Sequence, residues 1–498
     1  MSRKGRFIAF DFGATSGRAV VGEVSESAFT LREIHRFPNS PVTLRGHVYW
    51  DFPALYRELL TGLGVYRQQY GAASDGIGVD AWGCDFGQLD RNGDLVGLPR
   101  HYRDSRTEGI AAIIDRDFGN RALYQRNGIQ FLVFNTLNQL VAARRAGDPA
   151  LEITDALLFM PDLFHYYLTG HRASEFTLAS ISQLYNVNEG TWDREVCRRF
   201  NIPTSLFSGI VQPGVVLGEL QPGITQETGV SAPVILPATH DTASAAVAVP
   251  SDAGRTAFIS SGTWSIVGLE IESPVLNDES FQMNVSNSGG AFGKTLYLKN
   301  VMGLWIIQQC REAWRREGIL VTFDDIVQAA SAAGDPWVFI DPDDSRFLNP
   351  TNMSAEVVAA HSIAGGTEIS RHDVGAVARL VFESLAHKYR YTIEKLIMAS
   401  AAEVGAIYTV GGGAANSLLN QFTANATSLP VLTGPVEATA IGNIAAQAIG
   451  AGVLSSLAEA RSVIRRTFPV QKFQPAETGS WNRRYARFLE TTGLVPVR

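Results

Sequence analysis

Three cysteines in 498 residues, Cys84, Cys197 and Cys310, are too few, too scattered and odd in number for a disulfide framework or a CxxC metal clip. That excludes a small secreted scaffold held by bridges and fits a reducing cytoplasm. Long hydrophobic runs are missing as well: no stretch approaches the roughly 18 apolar residues that span a bilayer. The opening run in MSRKGRFIAFDFG is broken by Asp11 and is too short for a signal-peptide core. A soluble chain without a membrane partner is expected. Nor is there an excess of positive charge, since 42 Lys and Arg against 49 Asp and Glu leave a net charge of −7, with the basic residues scattered. Such a field gathers no polyanion, so nucleic acid is not an expected partner. Two signatures are also lacking. Without GxxxxGK[ST], any phosphate must be held by something other than a Walker loop, and without HxH or HExxH the lone His240 has no second metal ligand nearby in sequence.

What is present is a chain long enough for at least two large domains, because single cores stop growing near roughly 250–300 residues. A pattern repeats about halfway along. FIAFDFGATSGRAVVGEV, near the start, and TAFISSGTWSIVGLEI, from Thr256, each read as a β-hairpin whose tip combines glycine with hydroxyl side chains. The repeat predicts two copies of one α/β fold, residues 1–245 and 246–498, joined near 245–255. GIGVDAWGCDFGQLD reads as a further strand pair turning at Gly83 and Cys84. Helical spacing marks Ala54–Tyr70, Phe131–Arg145, Ala156–Leu168, the segment LYLKNVMGLWIIQQCREAW and the longer VGAVARLVFESLAHKYRYTIEKL. AIYTVGGGAANSLLNQFTANA reads as strand, glycine turn and helix, and GPVEATAIGNIAAQAIGAG as a helix of small residues able to approach a neighbour closely. Beyond Phe468 the periodicity is weak, which predicts a helical or loose appendix.

Asp11 ends the first strand, and the turn after it offers glycines, hydroxyls and free backbone N–H groups to phosphate oxygens. A carboxylate there suits Mg²⁺, which takes few carboxylates and many waters. The second tip, SSGTWS, supplies another such element with Gly262 and Thr263; two tips facing one cleft can hold a nucleotide between them. Each tip reads equally as an ordinary turn braced by Ser and Thr. GGGAAN is not GxGxxG and has no acidic residue at the dinucleotide-fold distance, so Gly411, Gly412 and Gly413, with Asn416, are better read as bare backbone for an adenosine. In ILPATHDTASAAVAV a strand gives way to a small-residue helix near Asp241. A carboxylate at that helix start stays ionised and can take a proton from a hydroxyl, although a purely structural N-cap has the same position. Gln88, His101, Arg103 and Asp104 are candidates to read a sugar, with Trp82 to lie against its apolar face; HYRDSRT reads as well as a loop held by its own ion pairs.

Taken in order, FDFGATSGR, GVDAWGCDFGQLD, PRHYRDSRT, GIQFLVFNTLNQL, MPDLFHYYLTG, ATHDTASA, SSGTWS, LKNVMGLWIIQ, NPTNM, VGGGAANSLLNQ and GPVEATAIGN make the chain resemble the FGGY carbohydrate kinases over nearly its whole length. The resemblance implies a duplicated ribonuclease-H-like fold of the actin and hexokinase type with an interdomain cleft, and transfer of a phosphoryl group from Mg-ATP to a small ketose. It implies ATP contacts at Ala14, Thr15, Ser16, Gly17, Arg18, Thr263, Gln308 and the triple-glycine turn. Sugar contacts are implied at Gly83, His240, Thr242 and Asn300, and proton removal by Asp241. Cys84, Val133, Asn138 and Ser288 depart from the pattern of the nearest branch, which usually has WGVDF, FLPFNTLYQL and NEGG in those segments. They touch sugar-side and interior segments, so the preferred ketose stays open. Two other classes compete: a chaperone or filament ATPase of the same superfamily, and a sugar-responsive regulator without turnover. The first needs an extra domain or a polymerising surface, where the kinase motifs fill nearly all of the sequence, and the second a helix-turn-helix, where the N-terminus begins a strand, so neither is expected.

Overall fold

The computed structural model describes residues 3–250 and 256–496, so residues 251–255 of the expected junction lie outside the described residues. The chain sorts into two compact units, each discontinuous in sequence. The first comprises Met1–Pro250, Ile271–Tyr297 and Ala438–Phe468, and the second Ser251–Glu270, Leu298–Glu437 and Pro469–Arg498.

In the first unit six strands, β1 (Lys4–Phe12), β2 (Ser16–Ser25), β3 (Phe29–Pro38), β4 (Gly76–Ala81), β5 (Val216–Glu219) and β6 (Pro233–Ile235), lie in the order β5-β6-β4-β1-β2-β3. Phe7, Ile8, Ala9 and Phe10 are all fully buried, the continuous apolar run of a strand covered on both faces. β1 runs antiparallel to β2 and parallel to β4, and this places Asp11 opposite Arg18 on one side and Asp80 on the other. The helix Phe52–Tyr70 starts where the Asp51 carboxylate accepts the Ala54 N–H at 3.1 Å, with Pro53 in its first turn, and it ends at Gly71. Phe52, Leu55, Leu59, Leu63 and Tyr66 recur at helical spacing and are the face it buries against the sheet. Each is worth about 1.5–3 kcal/mol of burial, and Leu59→Ala would cost about 2–5 kcal/mol. The helices Asp241–Val247 and Ala438–Gly450 meet backbone to backbone: a Cβ on Gly442 would lie 1.7 Å from the Ser244 carbonyl oxygen. The small-residue helix makes the close approach expected of it.

The second unit contains β7 (Thr256–Ser261), β8 (Trp264–Ile271), β9 (Thr295–Met302), β10 (Ala406–Val410), β11 (Val431–Thr433) and β12 (Lys472–Phe473), running β9-β8-β7-β10-β11-β12. β7 is antiparallel to β8 and parallel to β10, β10 is parallel to β11, and β11 is antiparallel to β12. β1, β2, β4, β6 and β5 follow the same path in the first unit. The repeated pattern in the sequence is a repeated topology.

Four local readings are corrected. Gly76–Ala81 and Phe86–Leu89 do not pair with each other; Phe86–Leu89 pairs instead with Ala156–Phe159, and the intended turn is a strained break between two sheets. Ala156–Phe159 is therefore strand, with helix only from Met160 to Thr169, and the helix expected from Phe131 begins at Thr136. LYLKNVM is strand, and its helix starts at Trp305; a run buried on both faces does not distinguish the two by periodicity. For the tail, expected to be helical or loose, the helical reading holds: Lys472–Phe473 joins the sheet and the helix Thr478–Thr492 buries Trp481, Arg484, Tyr485 and Phe488 at helical spacing.

Candidate active site

The first unit gathers its charged candidates at the ends of β1 and β4 and at the start of the Asp241–Val247 helix. Arg18 reaches across the hairpin to Asp11, donating from Nη2 at 2.7 Å and Nε at 3.0 Å to one carboxylate oxygen. The turn between them is closed by Gly13 N–H donating to the Ser16 carbonyl at 2.8 Å and is braced by Asn39, which donates to the Gly13 carbonyl and bonds Thr15. Thr15 is exposed, and Ala14 and Ser16 are half-buried. Gly17 is required by packing, because a Cβ there would lie 2.3 Å from the Phe37 ring.

Beside Asp11, Asp80 is fully buried. One of its oxygens accepts from Asn443 Nδ2 at 2.6 Å, Asn443 in turn accepts from Gln447, and Gln447 also donates to the Ile8 carbonyl. The other oxygen is buried without a partner. Burial, then the charges of Asp11 and Asp241, hold the Asp80 carboxyl well above the usual range. Asp241 is the first residue of its helix, and His240 is the cap. The Asp241 side chain keeps about a third of its exposure, with Oδ1 accepting from Thr242 N–H at 2.5 Å and Thr242 Oγ1 at 3.1 Å and lying 3.5 Å from His240 Nε2. Burial of the surrounding turn raises its pKa; Asp11 adds to that, while His240 and the Thr242 bonds oppose it. Burial lowers that of His240, which favours the neutral ring. Gly83 belongs to the same group, since a Cβ on it would lie 3.3 Å from His240 Nε2 and 2.6 Å from Ile181 Cδ1.

The remaining first-unit candidates are spoken for. Trp82 is 5% exposed, packed on Trp50 with 3.9 Å between ring centroids, and its indole donates to Asp85 at 3.1 Å; little of its face is left for a sugar. His101 stacks on Trp50, and burial pushes it down to about 4. Asp104 is buried, accepting from Val48 and Arg106 N–H groups, Gln88 donates to Thr154, and the exposed Arg103 lies over the Tyr102 ring. The loop His101–Thr107 is held from outside as much as from within: His101 and Asp104 bond Val48, the Tyr102 N–H bonds Asp85 and Arg106 bonds Gln139, beside the Arg103 and Asp104 N–H groups that bond His101.

Besides Asp80, two further buried acids were missed by sequence reading. Asp85 accepts from Trp50 Nε1 at 2.6 Å, Trp82 Nε1, the Tyr102 N–H and Gln139 Nε2, and burial pushes it up to about 6 against those bonds. The residue before it, Cys84, has φ of 75°, and Asp85 N–H donates to the Gly83 carbonyl at 3.0 Å, a γ-turn with a side chain in left-handed backbone. Glu175 is fully buried among threonines, and burial raises it to about 7. Its only sequence signal is an acid in the run SEFT just before a short helix. The other departures scatter: Val133 is 60% exposed, Asn138 donates to the Leu132 and Val133 carbonyls, and Ser288 lines a 500 Å³ cavity with Phe176, Tyr185 and Phe292.

In the second unit the β7–β8 tip is tied to the strand and helix that follow it. Gly262 N–H donates to the Trp264 carbonyl at 3.0 Å, the Thr263 carbonyl accepts from Gly303 and Trp305, and Thr263 Oγ1 lies 3.3 Å from Gln308 Oε1. Gly411, at φ of 78°, and Gly413 pack on the end of β7, where a Cβ on Gly413 would lie 2.0 Å from Ser261 Oγ; around Gly412 the space is open. Asn416 caps the Ser417–Thr427 helix, accepting from Leu419 N–H at 3.0 Å. Asn300 sits half-buried on β9. Thus Gly262, Thr263, Gln308 and the glycine turn gather around one hairpin, without a carboxylate among them.

Among the described residues no three His, Cys, Asp or Glu side chains form a metal-holding group, and no helix is long and apolar enough to cross a membrane. Against known proteins, residues 6–248 match the N-terminal domain of the FGGY family of carbohydrate kinases and residues 257–451 its C-terminal domain. A rhamnulokinase of Bacteroides thetaiotaomicron is 38% identical over 97% of this chain and 99% of its own length. A rhamnulokinase of Pectobacterium atrosepticum is 39% identical over 96% and 95%. Among solved structures, a xylulose kinase of Lactobacillus acidophilus has a TM-score of 0.82 at 15% identity, covering 97% of each chain. Plasmodium falciparum glycerol kinase with ADP has a TM-score of 0.78 at 15% identity, covering 99% of each.

Proposed function

The chain belongs to the FGGY family of carbohydrate kinases, and we propose that it transfers the γ-phosphoryl group of ATP to L-rhamnulose, giving L-rhamnulose 1-phosphate and ADP in cytoplasmic rhamnose catabolism. The observation that carries the choice of sugar is identity of 38–39% to two rhamnulokinases over nearly the full length of all three chains. In this reading Asp241 accepts the proton of the attacking hydroxyl as the new bond to phosphorus forms. Its surroundings suit a base, since it is about a third exposed, oriented by Thr242 and beside a neutral His240, with a pKa raised toward working pH. Gly83, His240, Thr242 and Asn300 would read the sugar. Nucleotide binding falls to Ala14, Thr15, Ser16, Gly17 and Arg18 in one unit and Gly262, Thr263, Gln308, Gly411, Gly412, Gly413 and Asn416 in the other.

Mg²⁺ bound with ATP supplies charge neutralisation on the phosphates. The residues fit it: the charge of Asp11 raises the proton affinity of both Asp80 and Asp241, and a hard cation with oxygen ligands would relieve that crowding. Asp11, at the end of β1, would hold it. An ADP-release screen over L-rhamnulose, L-fuculose, L-xylulose and L-rhamnose tests the proposal. L-Rhamnulose should give the highest kcat/KM, and a tenfold preference for L-fuculose would overturn the assigned sugar while leaving the kinase intact.

A further inference from the structure

We propose that Glu175 is a positioning residue for the catalytic base, fixing the turn from which Asp241 projects. This rests on Asp241 being that base. Glu175 lies 64 residues before Thr239, yet one of its oxygens, Oε2, accepts both the Thr239 N–H at 3.2 Å and the Thr239 hydroxyl at 2.6 Å. The same oxygen accepts the Thr177 N–H at 2.9 Å and the Thr177 hydroxyl at 2.5 Å, and Thr177 Oγ1 accepts the His240 N–H at 3.1 Å. Both peptide groups immediately ahead of Asp241 are therefore tied to one carboxylate, the first directly and the second through Thr177.

The turn is held from its other side too. Ala81 N–H donates to the Thr239 carbonyl at 2.9 Å, and Ser244 Oγ donates to the Ala238 carbonyl at 2.6 Å. Glu175, Thr177 and Thr239 are each fully buried, so they act through the turn rather than on a substrate. Four donors converging on one oxygen favour its negative charge against the burial that raises its pKa, and charge-assisted bonds are about twice as strong as neutral ones. No hydrophobic residue could satisfy those donors, and each would otherwise be left buried and unpaired. A fully buried acid with four donors on one oxygen is explained by what it holds still.

The test is a double-mutant cycle of Glu175→Gln with Asp241→Asn, read as kcat in steady-state ADP release, with folding checked by thermal melting. Glutamine keeps an accepting oxygen but loses the charge. Expected are a tenfold or greater fall in kcat for Glu175→Gln with the ATP KM within twofold of wild type, and no further fall when it is added to Asp241→Asn. A kcat within twofold of wild type in folded Glu175→Gln overturns the proposal, as does the same fractional loss in both backgrounds, which marks a general structural role. If Glu175→Gln fails to fold, Thr177→Ala replaces it, since that change removes the hydroxyl that links Glu175 to His240 and leaves the bonds from Thr239 and from the Thr177 N–H in place; an unchanged kcat there overturns the proposal equally. Should Asp241→Asn itself keep more than a tenth of wild-type kcat, the base assignment has failed and not the clamp alone.

Discussion

The β1–β2 and β7–β8 hairpins occupy the same slot in the same topology and carry opposite chemistry. Where β1 sets Asp11 beside Asp80 of its parallel neighbour, β7 sets Ser260 beside Val410. The first tip is pinned by an ion pair, Arg18 to Asp11, and the second by backbone bonds from Gly262 and Thr263. The strand path is dictated by apolar runs and is preserved in both copies. Polar positions at the strand ends are not needed for that path and are free to diverge. Carboxylates placed side by side raise one another's pKa, which costs stability unless charge is needed there, and the second copy has none of them at its tip.

The sharpest way to break this contrast is Asp241→Asn. General-base catalysis is usually worth about 10²–10⁴-fold, so kcat should fall by that factor while folding and ATP binding persist. Thr263→Val at the neutral tip should instead raise the ATP KM several-fold and leave kcat within about threefold. Equal losses of kcat from the two changes would show that the chemistry is not concentrated in the first unit.

Next in size is the same one-carbon addition in each unit. At Gly442 the new methyl would lie 1.7 Å from a backbone oxygen of Ser244, which cannot move without shifting the Asp241 helix. Gly442→Ala should therefore lose about 1–3 kcal/mol, seen as a melting temperature lower by several degrees. At Gly413 the methyl would lie 2.0 Å from the Ser261 hydroxyl, which can rotate away, but also 2.4 Å from Ser261 Cβ, which moves only with the end of β7. Gly413→Ala should therefore lower the melting temperature too, by less than Gly442→Ala, and in addition weaken ATP binding. Destabilisation of the same size at both positions would mean that the glycine turn serves packing alone.

How much of this was legible beforehand depended on whether the signal was local. The paired hairpins, the Asp241 helix start and the small-residue helix are each written in contiguous residues, and the structure places them as read. The strand pair through Gly83 failed because Cys84 carries a backbone conformation that a side chain rarely adopts, and no residue type announces that. LYLKNVM and Ala156–Phe159 failed because buried strands and buried helices share an apolar composition. Asp80, Asp85 and Glu175 were invisible as site features: their partners, Asn443, Gln139 and Thr239, are separated from them by 363, 54 and 64 residues. Trp82, proposed for a sugar face, is instead part of the Asp85 hub, since an indole that finds both a buried acceptor and a ring partner is held in the core.

The smallest expected effect tests how the first unit tunes its base. Asp241 Oδ1 accepts the Thr242 hydroxyl at 3.1 Å, a bond made to the ionised form and therefore one that lowers the pKa against the burial that raises it. Thr242→Val removes the hydroxyl and keeps the shape and the backbone N–H. A hydrogen bond to a charged group is worth about 1.5–3 kcal/mol when buried, but this carboxylate is about a third exposed and water screens much of that. What is left is a small upward shift. The sign follows from the base having to be ionised: with the pKa raised, the acid limb of kcat/KM should move to higher pH. Well above the limb Asp241 is ionised in both forms, so only the plateau height, set by sugar binding at Thr242, should differ there. Thr263→Val in the second unit bonds no acid and should leave the limb where it is. A limb that stays put or moves downward in Thr242→Val would show that Asp241 does not govern the acid side of the profile.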